Sequence, residues 1–162
     1  MDSPVVLVKM AEISVIEDSK LLKTTLGSCV GVILHDPQHR RSGLAHIMLP
    51  EQVRQDPSIG KYADTAIPAL VEELVRRGSR KEHLRAYIAG GANMFQHATD
   101  RKIATVGEKN IAAVRRLLEA AGVPIEFEDT GGERGRTLEF NNRTAEIKVR
   151  NIDTIKCRGS AI

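Results

Sequence analysis

Two side chains in the first part of the sequence have the chemistry of a nucleophile and its base. Cys29 sits in Leu26-Gly27-Ser28-Cys29-Val30. A thiol attacks a carbonyl carbon only as the thiolate, so it needs a nearby base or a positive field. Gly27, two residues earlier, lets the backbone bend and brings amide N–H groups close to a bound carbonyl. The N–H groups of Ser28 and Cys29 are then candidates to stabilise a tetrahedral oxyanion, where one donor is typically worth about 10² to 10³ in rate. His46 lies in Gly43-Leu44-Ala45-His46-Ile47-Met48-Leu49-Pro50, an imidazole within an apolar run. Burial disfavours the charged ring, and a neutral imidazole beside a thiol is a competent base. The plainer readings are a core thiol and a satisfied core histidine, since free cysteine is among the most buried residue types. The expectation from the pair is a cysteine hydrolase with Cys29 as nucleophile and His46 as general base.

A β-hairpin is the element that must bring the two together. Residues 24–34 and 42–49 are rich in Thr, Val, Ile and Leu, and Asp36-Pro37-Gln38-His39-Arg40-Arg41 between them reads as a turn. Symmetric pairing about that turn sets Cys29 opposite Met48 and makes His46 its diagonal neighbour on the same face. Such neighbours have Cβ atoms roughly 7–8 Å apart, within reach of a thiol and an imidazole. A register slip of one residue would put them on opposite faces.

The remaining segments predict a mixed architecture. Residues 5–10, 84–89, 123–128, 137–140 and 145–149 read as strands, with a turn at 141–144. Residues 64–77 and 107–121 carry apolar side chains at helical spacing, including Ile67, Leu70, Val71, Leu74 and Val75 in the first. Pro68 suits that helix only if it starts late, near Ile67, or bends. Strand pairs with two substantial helices predict an α+β fold in one domain spanning residues 1–162. His35, His39, His83 and His97 read as surface residues. Gly90-Gly91-Ala92-Asn93 follows a strand and is suited to close approach of a substrate, although it lacks a phosphate-binding glycine pattern. Glu128-Asp129-Thr130-Gly131-Gly132 reads as a loop.

Composition narrows the classes further. With 24 basic and 21 acidic residues the net charge is only +3, and two Tyr with three Phe leave few stacking platforms for nucleic acid. Cys29 and Cys157 lie far apart and outside any CxxC spacing, which predicts free thiols and no structural metal. The absence of a signal-peptide pattern at the start and of any apolar run near the roughly 20 residues needed to span a bilayer makes the cytoplasm the expected location.

Several motifs in order resemble CheD, the chemoreceptor glutamine deamidase family. They are Leu26-Gly27-Ser28-Cys29-Val30, Ala45-His46-Ile47-Met48-Leu49-Pro50, Lys61-Tyr62-Ala63-Asp64-Thr65-Ala66, Ile88-Ala89-Gly90-Gly91-Ala92-Asn93-Met94-Phe95, Gly107-Glu108-Lys109-Asn110 and Glu128-Asp129-Thr130-Gly131-Gly132. The resemblance implies an α/β/β layering, with mixed or antiparallel sheets and the two helices on one side. It also implies a Cys-His-Thr site that hydrolyses glutamine carboxamides through a thioester, with no metal or organic cofactor. Gly27, Ser28, Gly90 and Gly91 are the candidates for oxyanion and substrate binding. The family's threonine precedes the cysteine, in some members by six residues. Here that place is Lys23, with Thr24 and Thr25 beside it, and Thr24 is preferred over Thr25. Implied partners are the cytoplasmic helical bundle of chemoreceptors and the CheC phosphatase, with no nucleic acid and no membrane insertion. A binding regulator without turnover is the alternative function. Arg40-Arg41 and Arg76-Arg77 are suited to attracting an acidic receptor helix, or to ordinary solvation. The tail 151–162 is expected to be peripheral.

Overall fold

The computed structural model describes residues 3–94 and 104–152, so the expectations for His97, Cys157 and most of the tail fall outside the described residues. Nine strands and two α-helices are present among the described residues: β1 Val5–Leu7, β2 Ile13–Glu17, β3 Leu21–Leu26, β4 Val30–Asp36, β5 Arg41–Ile47, α1 Ala63–Arg76, β6 Arg85–Gly90, α2 Val106–Ala121, β7 Ile125–Thr130, β8 Arg136–Asn141 and β9 Ile147–Asn151. They form a five-stranded sheet of order β2-β5-β4-β6-β7 and a four-stranded sheet of order β1-β3-β8-β9.

Side-chain alternation along β4 and β5 builds the layers. Val30, Val32, Leu34, Ala45 and Ile47 face α1 and α2, where they meet Ile67, Leu70, Leu74, Val114 and Leu118. The alternate residues Ile33 and Leu44 face the four-stranded sheet and pack on Leu22, Leu26, Leu138 and Phe140. The five-stranded sheet is therefore covered on both faces, and every residue of β4 and β5 is buried. This is the expected α+β class in α/β/β layers, with both helices on one side.

The hairpin register is the predicted one. Val30 pairs with Ile47, Gly31 with His46 and Asp36 with Arg41, so paired numbers add to 77 throughout. The expected single strand over 24–34, however, breaks at Gly27-Ser28-Cys29. β3 belongs to the four-stranded sheet and β4 to the five-stranded sheet, and the three residues turn the corner between them. Its carbonyls are held from one side, by Gly91 N–H on Cys29 O at 2.8 Å and Ala92 N–H on Gly27 O at 3.0 Å.

Other expectations change for local reasons. α1 starts at Ala63 rather than near Ile67, with Pro68 inside it. Pro68 lies on the exposed face, where the carbonyl it leaves without a helical donor can bond water. Val75 is 45% exposed rather than in the core. β2 was not anticipated. Its mostly half-buried residues form an edge strand on β5, so the apolar pattern is weak. Glu128, Asp129 and Thr130 end β7 instead of forming a loop. Arg41 is not a surface charge: it is buried, with Nε on Glu17 Oε1 at 2.9 Å and a donor on Ser79.

His35 is likewise buried, not superficial. It bonds Ser42 Oγ and lies edge-on to Phe140 and Tyr87 between the sheets. Ser42 donates to Asn142 Oδ1, and Asn142 Nδ2 donates to the carbonyls of Asp18 and Arg40 at 2.8 and 2.7 Å. Asn142 thus ties the tip of the hairpin to the β2–β3 and β8–β9 turns. Asn142→Ala would strand a hydroxyl and two carbonyls, and each buried polar group left unsatisfied costs roughly 1–3 kcal/mol. Urea unfolding should show a lower midpoint with unchanged slope, and an unchanged midpoint would contradict this role for the network.

Candidate active site

The site lies where β3 of one sheet crosses the end of β5 in the other. Along β3, Leu22, Thr24 and Leu26 point inward while Thr25 is exposed. Thr25 therefore faces away from the core, and Thr24 is the threonine that reaches His46. Thr24 Oγ1 lies 2.7 Å from His46 Nδ1 and donates to Val8 O at 2.6 Å.

This pair of contacts determines the tautomer. A threonine hydroxyl carries a single proton, and a carbonyl can only accept. The Thr24 proton goes to Val8 O, so Thr24 Oγ1 must accept from His46 Nδ1–H. In the neutral ring the lone pair is then on Nε2, which is buried and has no hydrogen-bond partner among the described residues. The strand carrying the ring is held on its other edge, by His46 N–H to Glu12 O and Ala11 N–H to His46 O.

Burial pushes the His46 pKa below the usual imidazole value, against smaller opposing effects of the Val8 carbonyl and the Glu12 charge. Burial also raises the Cys29 thiol. Both shifts favour the uncharged forms, a thiol and a neutral imidazole. Cys29 is 9% exposed, so a sliver of the residue reaches solvent. It packs between the sheets, on the face of β4 that also carries Gly31 and Ile33. The ladder ends at the Val30–Ile47 pair, one residue short of Cys29, and Gly31, two residues on from Cys29, pairs directly with His46.

The corner around Cys29 is backed by the strap at Gly90-Gly91-Ala92. Gly90 has φ +108°, and a Cβ there would sit 2.2 Å from Cys29 O. Gly91 has φ +71°, and a Cβ there would sit 2.4 Å from Ile111 Cγ1. Only glycine combines these conformations with such close approach. Because the Gly91 N–H is bonded to Cys29 O, it supports the loop and is not free to bind a substrate oxygen. The N–H groups of Ser28 and Cys29 donate to no acceptor among the described residues. Asn110, quoted from its motif but not singled out as a site residue, reaches the same corner: its Nδ2 donates to Ser28 O and Met48 O. The signal for it was a polar side chain on the buried face of an amphipathic helix.

Charge at the hairpin turn does not serve this site. β4 enters beside Cys29 and the turn lies beyond its seventh residue, about 20 Å away. Arg40 and Arg41 are at that far end, and Arg77 pairs with Glu17 there. No group of three or more His, Cys, Asp or Glu among the described residues is arranged to hold a metal ion. No helix of the described residues is long and apolar enough to cross a membrane.

A family model described as CheD chemotactic sensory transduction matches residues 48–151. The chain belongs to the CheD family. It is 40% identical over 152 residues to the chemoreceptor glutamine deamidase CheD of Halalkalibacterium halodurans, covering 91% of this chain and 94% of that one. It is 44% identical over 153 residues to the probable chemoreceptor glutamine deamidase CheD of Methanococcus vannielii, covering 94% and 98%. The family model begins at Met48, two residues past His46, whereas these alignments span enough of the chain to include positions 29 and 46. A Neisseria meningitidis protein of the DUF152 family shares the CheD fold seen here, with a TM-score of 0.52 and 11% identity over 86% of this chain and 75% of that one.

His46 should titrate below the ordinary value of about 6.5 when its ring protons are followed by NMR. In the window between that depressed pKa and about 6.5, the unfolded chain binds the proton and the folded chain does not. The contribution to unfolding free energy is then present above about 6.5 and is lost as pH falls through this window. A His46 pKa at or above the ordinary value would contradict the buried neutral base.

Proposed function

We propose that this protein is a protein-glutamine deamidase that acts on glutamine side chains of the cytoplasmic helical domain of chemoreceptors. The substrate class comes from family membership and from the names its relatives carry. The observation that carries the chemistry is the Thr24 hydroxyl, whose one proton goes to Val8 O and so leaves His46 Nε2 as the basic nitrogen.

The steps follow from these groups. Cys29 Sγ attacks the carboxamide carbon while its proton passes to His46 Nε2, which avoids the cost of a free thiolate in a buried place. Charge develops on the carboxamide oxygen, for which the unclaimed N–H groups of Ser28 and Cys29 are the candidate donors. As the C–N bond breaks, the imidazolium returns the proton to the leaving nitrogen. Ammonia departs and a thioester remains on Cys29. Water then attacks the acyl carbon, giving its proton to His46, and the collapse releases glutamate and restores the thiol. Thr24 holds the ring in the Nδ1–H tautomer throughout. Gly27 forms the bend, and Gly90 and Gly91 keep the strap close enough to brace it.

The near-complete burial of Cys29 suits a substrate that delivers one side chain rather than a whole segment. A glutamine on the face of a receptor helix meets that requirement. Such a substrate also places the enzyme in the cytoplasm. Docking to the CheC phosphatase is part of this proposal and rests on family resemblance alone.

Mass spectrometry of a purified receptor cytoplasmic fragment should show Gln-to-Glu conversion with the wild-type protein and none with Cys29→Ala. His46→Ala should lose about 10² or more in rate, the general-base range. Thr24→Val, which cannot accept from Nδ1–H, should lose kcat by a smaller factor with little change in KM. An unmodified receptor after incubation with the wild type would leave a binding regulator as the better reading. Conversion by Cys29→Ala would remove the nucleophile assignment.

A further inference from the structure

Asn110 joins the two segments that carry the site. It lies in the second turn of α2 and is wholly buried. Its Nδ2 donates to Ser28 O and to Met48 O, both at 3.0 Å. Ser28 immediately precedes Cys29, and Met48 is two residues beyond His46. The amide orientation has one solution, since the reverse would set Oδ1 against two carbonyl oxygens. Oδ1 itself has no partner among the described residues. An orphaned buried acceptor is costly, so this side chain is a poor choice for stability alone. α2 can come this close because Gly107 is bare: a Cβ there would lie 2.4 Å from Gly91 O and 2.7 Å from Ala92 O.

The Ser28–Cys29 peptide is planar and its C=O and N–H point in opposite directions. Drawing Ser28 O toward α2 therefore aims the Cys29 N–H away from the helix. That N–H has no acceptor among the described residues. We infer that Asn110 is a positioning residue that aims the Cys29 N–H at the developing oxyanion and clamps the nucleophile loop to the end of β5. This rests on the reading of Cys29 as an acyl-accepting nucleophile, and it adds a residue that acts through the backbone and touches no substrate.

Two reactions of Cys29 separate this role from general support. Acylation by p-nitrophenyl acetate passes through an oxyanion, whereas alkylation by iodoacetamide displaces iodide and forms none. Asn110→Ala in the full chain should slow the acylation burst by about 10² to 10³, the value of an oxyanion donor, and leave alkylation within about threefold. Parallel loss of both reactions, or an unchanged burst, would overturn the inference. Asn110→Asp, similar in volume but with acceptors facing both carbonyls, should show the same selective loss. A readout independent of either variant's folding uses the wild type. A peptide aldehyde that forms a hemithioacetal on Cys29 should move the Cys29 N–H resonance downfield, and an unmoved resonance would overturn the inference. A wild-type protein inactive on receptor, with the selective loss still present, would sink the proposed substrate and leave this role standing. A burst that persists in Cys29→Ala would sink the nucleophile reading itself.

Discussion

The Thr24–His46 hydrogen bond is the contact on which the rest of the site depends, because it crosses from one sheet to the other. Thr24 belongs to β3 in the four-stranded sheet and His46 to β5 in the five-stranded sheet. A hydrogen bond of this kind contributes only about 1 kcal/mol net to stability, yet its direction decides which ring nitrogen carries the proton. That direction is imposed one step further out, by Val8 O, on the residue that follows β1. The short N-terminal strand thereby has a chemical consequence. By lying parallel to β3 it brings the carbonyl that takes the threonine proton.

The corner at Gly27-Ser28-Cys29 is the second constraint. β3 and β4 must leave one sheet and enter the other within three residues, and the turn exposes backbone groups that no ladder satisfies. The protein meets the carbonyls from one side, with the Gly91 and Ala92 amides and the Asn110 side chain. The N–H groups of Ser28 and Cys29 are left unclaimed by the described residues. A strand change between sheets and a set of free donors beside a thiol are thus the same structural event. The close glycine contacts follow, since strap, corner and helix can meet only where side chains are absent.

At the other end of the hairpin a similar device serves structure alone. His35, Ser42 and Asn142 also bridge the sheets, but that chain runs from Ser42 Oγ to Asn142 Oδ1 and ends where Asn142 Nδ2 donates to the carbonyls of Asp18 and Arg40. The contrast with His46 is instructive. Both histidines are buried with lowered pKa, and for both burial is the main cause. Burial therefore does not distinguish a base from a core histidine. What sets His46 apart is a thiol, Cys29, one residue beyond the end of the strand it pairs with.

Much of this was legible in the order of residues. A β-hairpin has a side-chain period of two and a turn with recognisable chemistry, so its register, and with it the shared face of Cys29 and His46, followed from counting. The helices followed from their periodicity and their glycine stops. Local pattern failed where the deciding partner was distant in sequence. The run 24–34 looks continuous because neither Gly27 nor Ser28 reveals that the next strand belongs to another sheet. Arg41 and His35 look superficial because Glu17, Ser79 and Asn142 are far along the chain. Thr24 and Thr25 cannot be told apart by type. Only the packing of β3 against the facing sheet turns one inward to His46 and leaves the other in solvent. The sequence by itself singled out Cys29, His46 and the face they share, because these follow from the numbering of a single hairpin. Tertiary structure decided which threonine meets His46, which ring nitrogen carries the proton and how the Ser28 carbonyl is held, because each depends on a hydrogen bond between elements that meet only when the layers close.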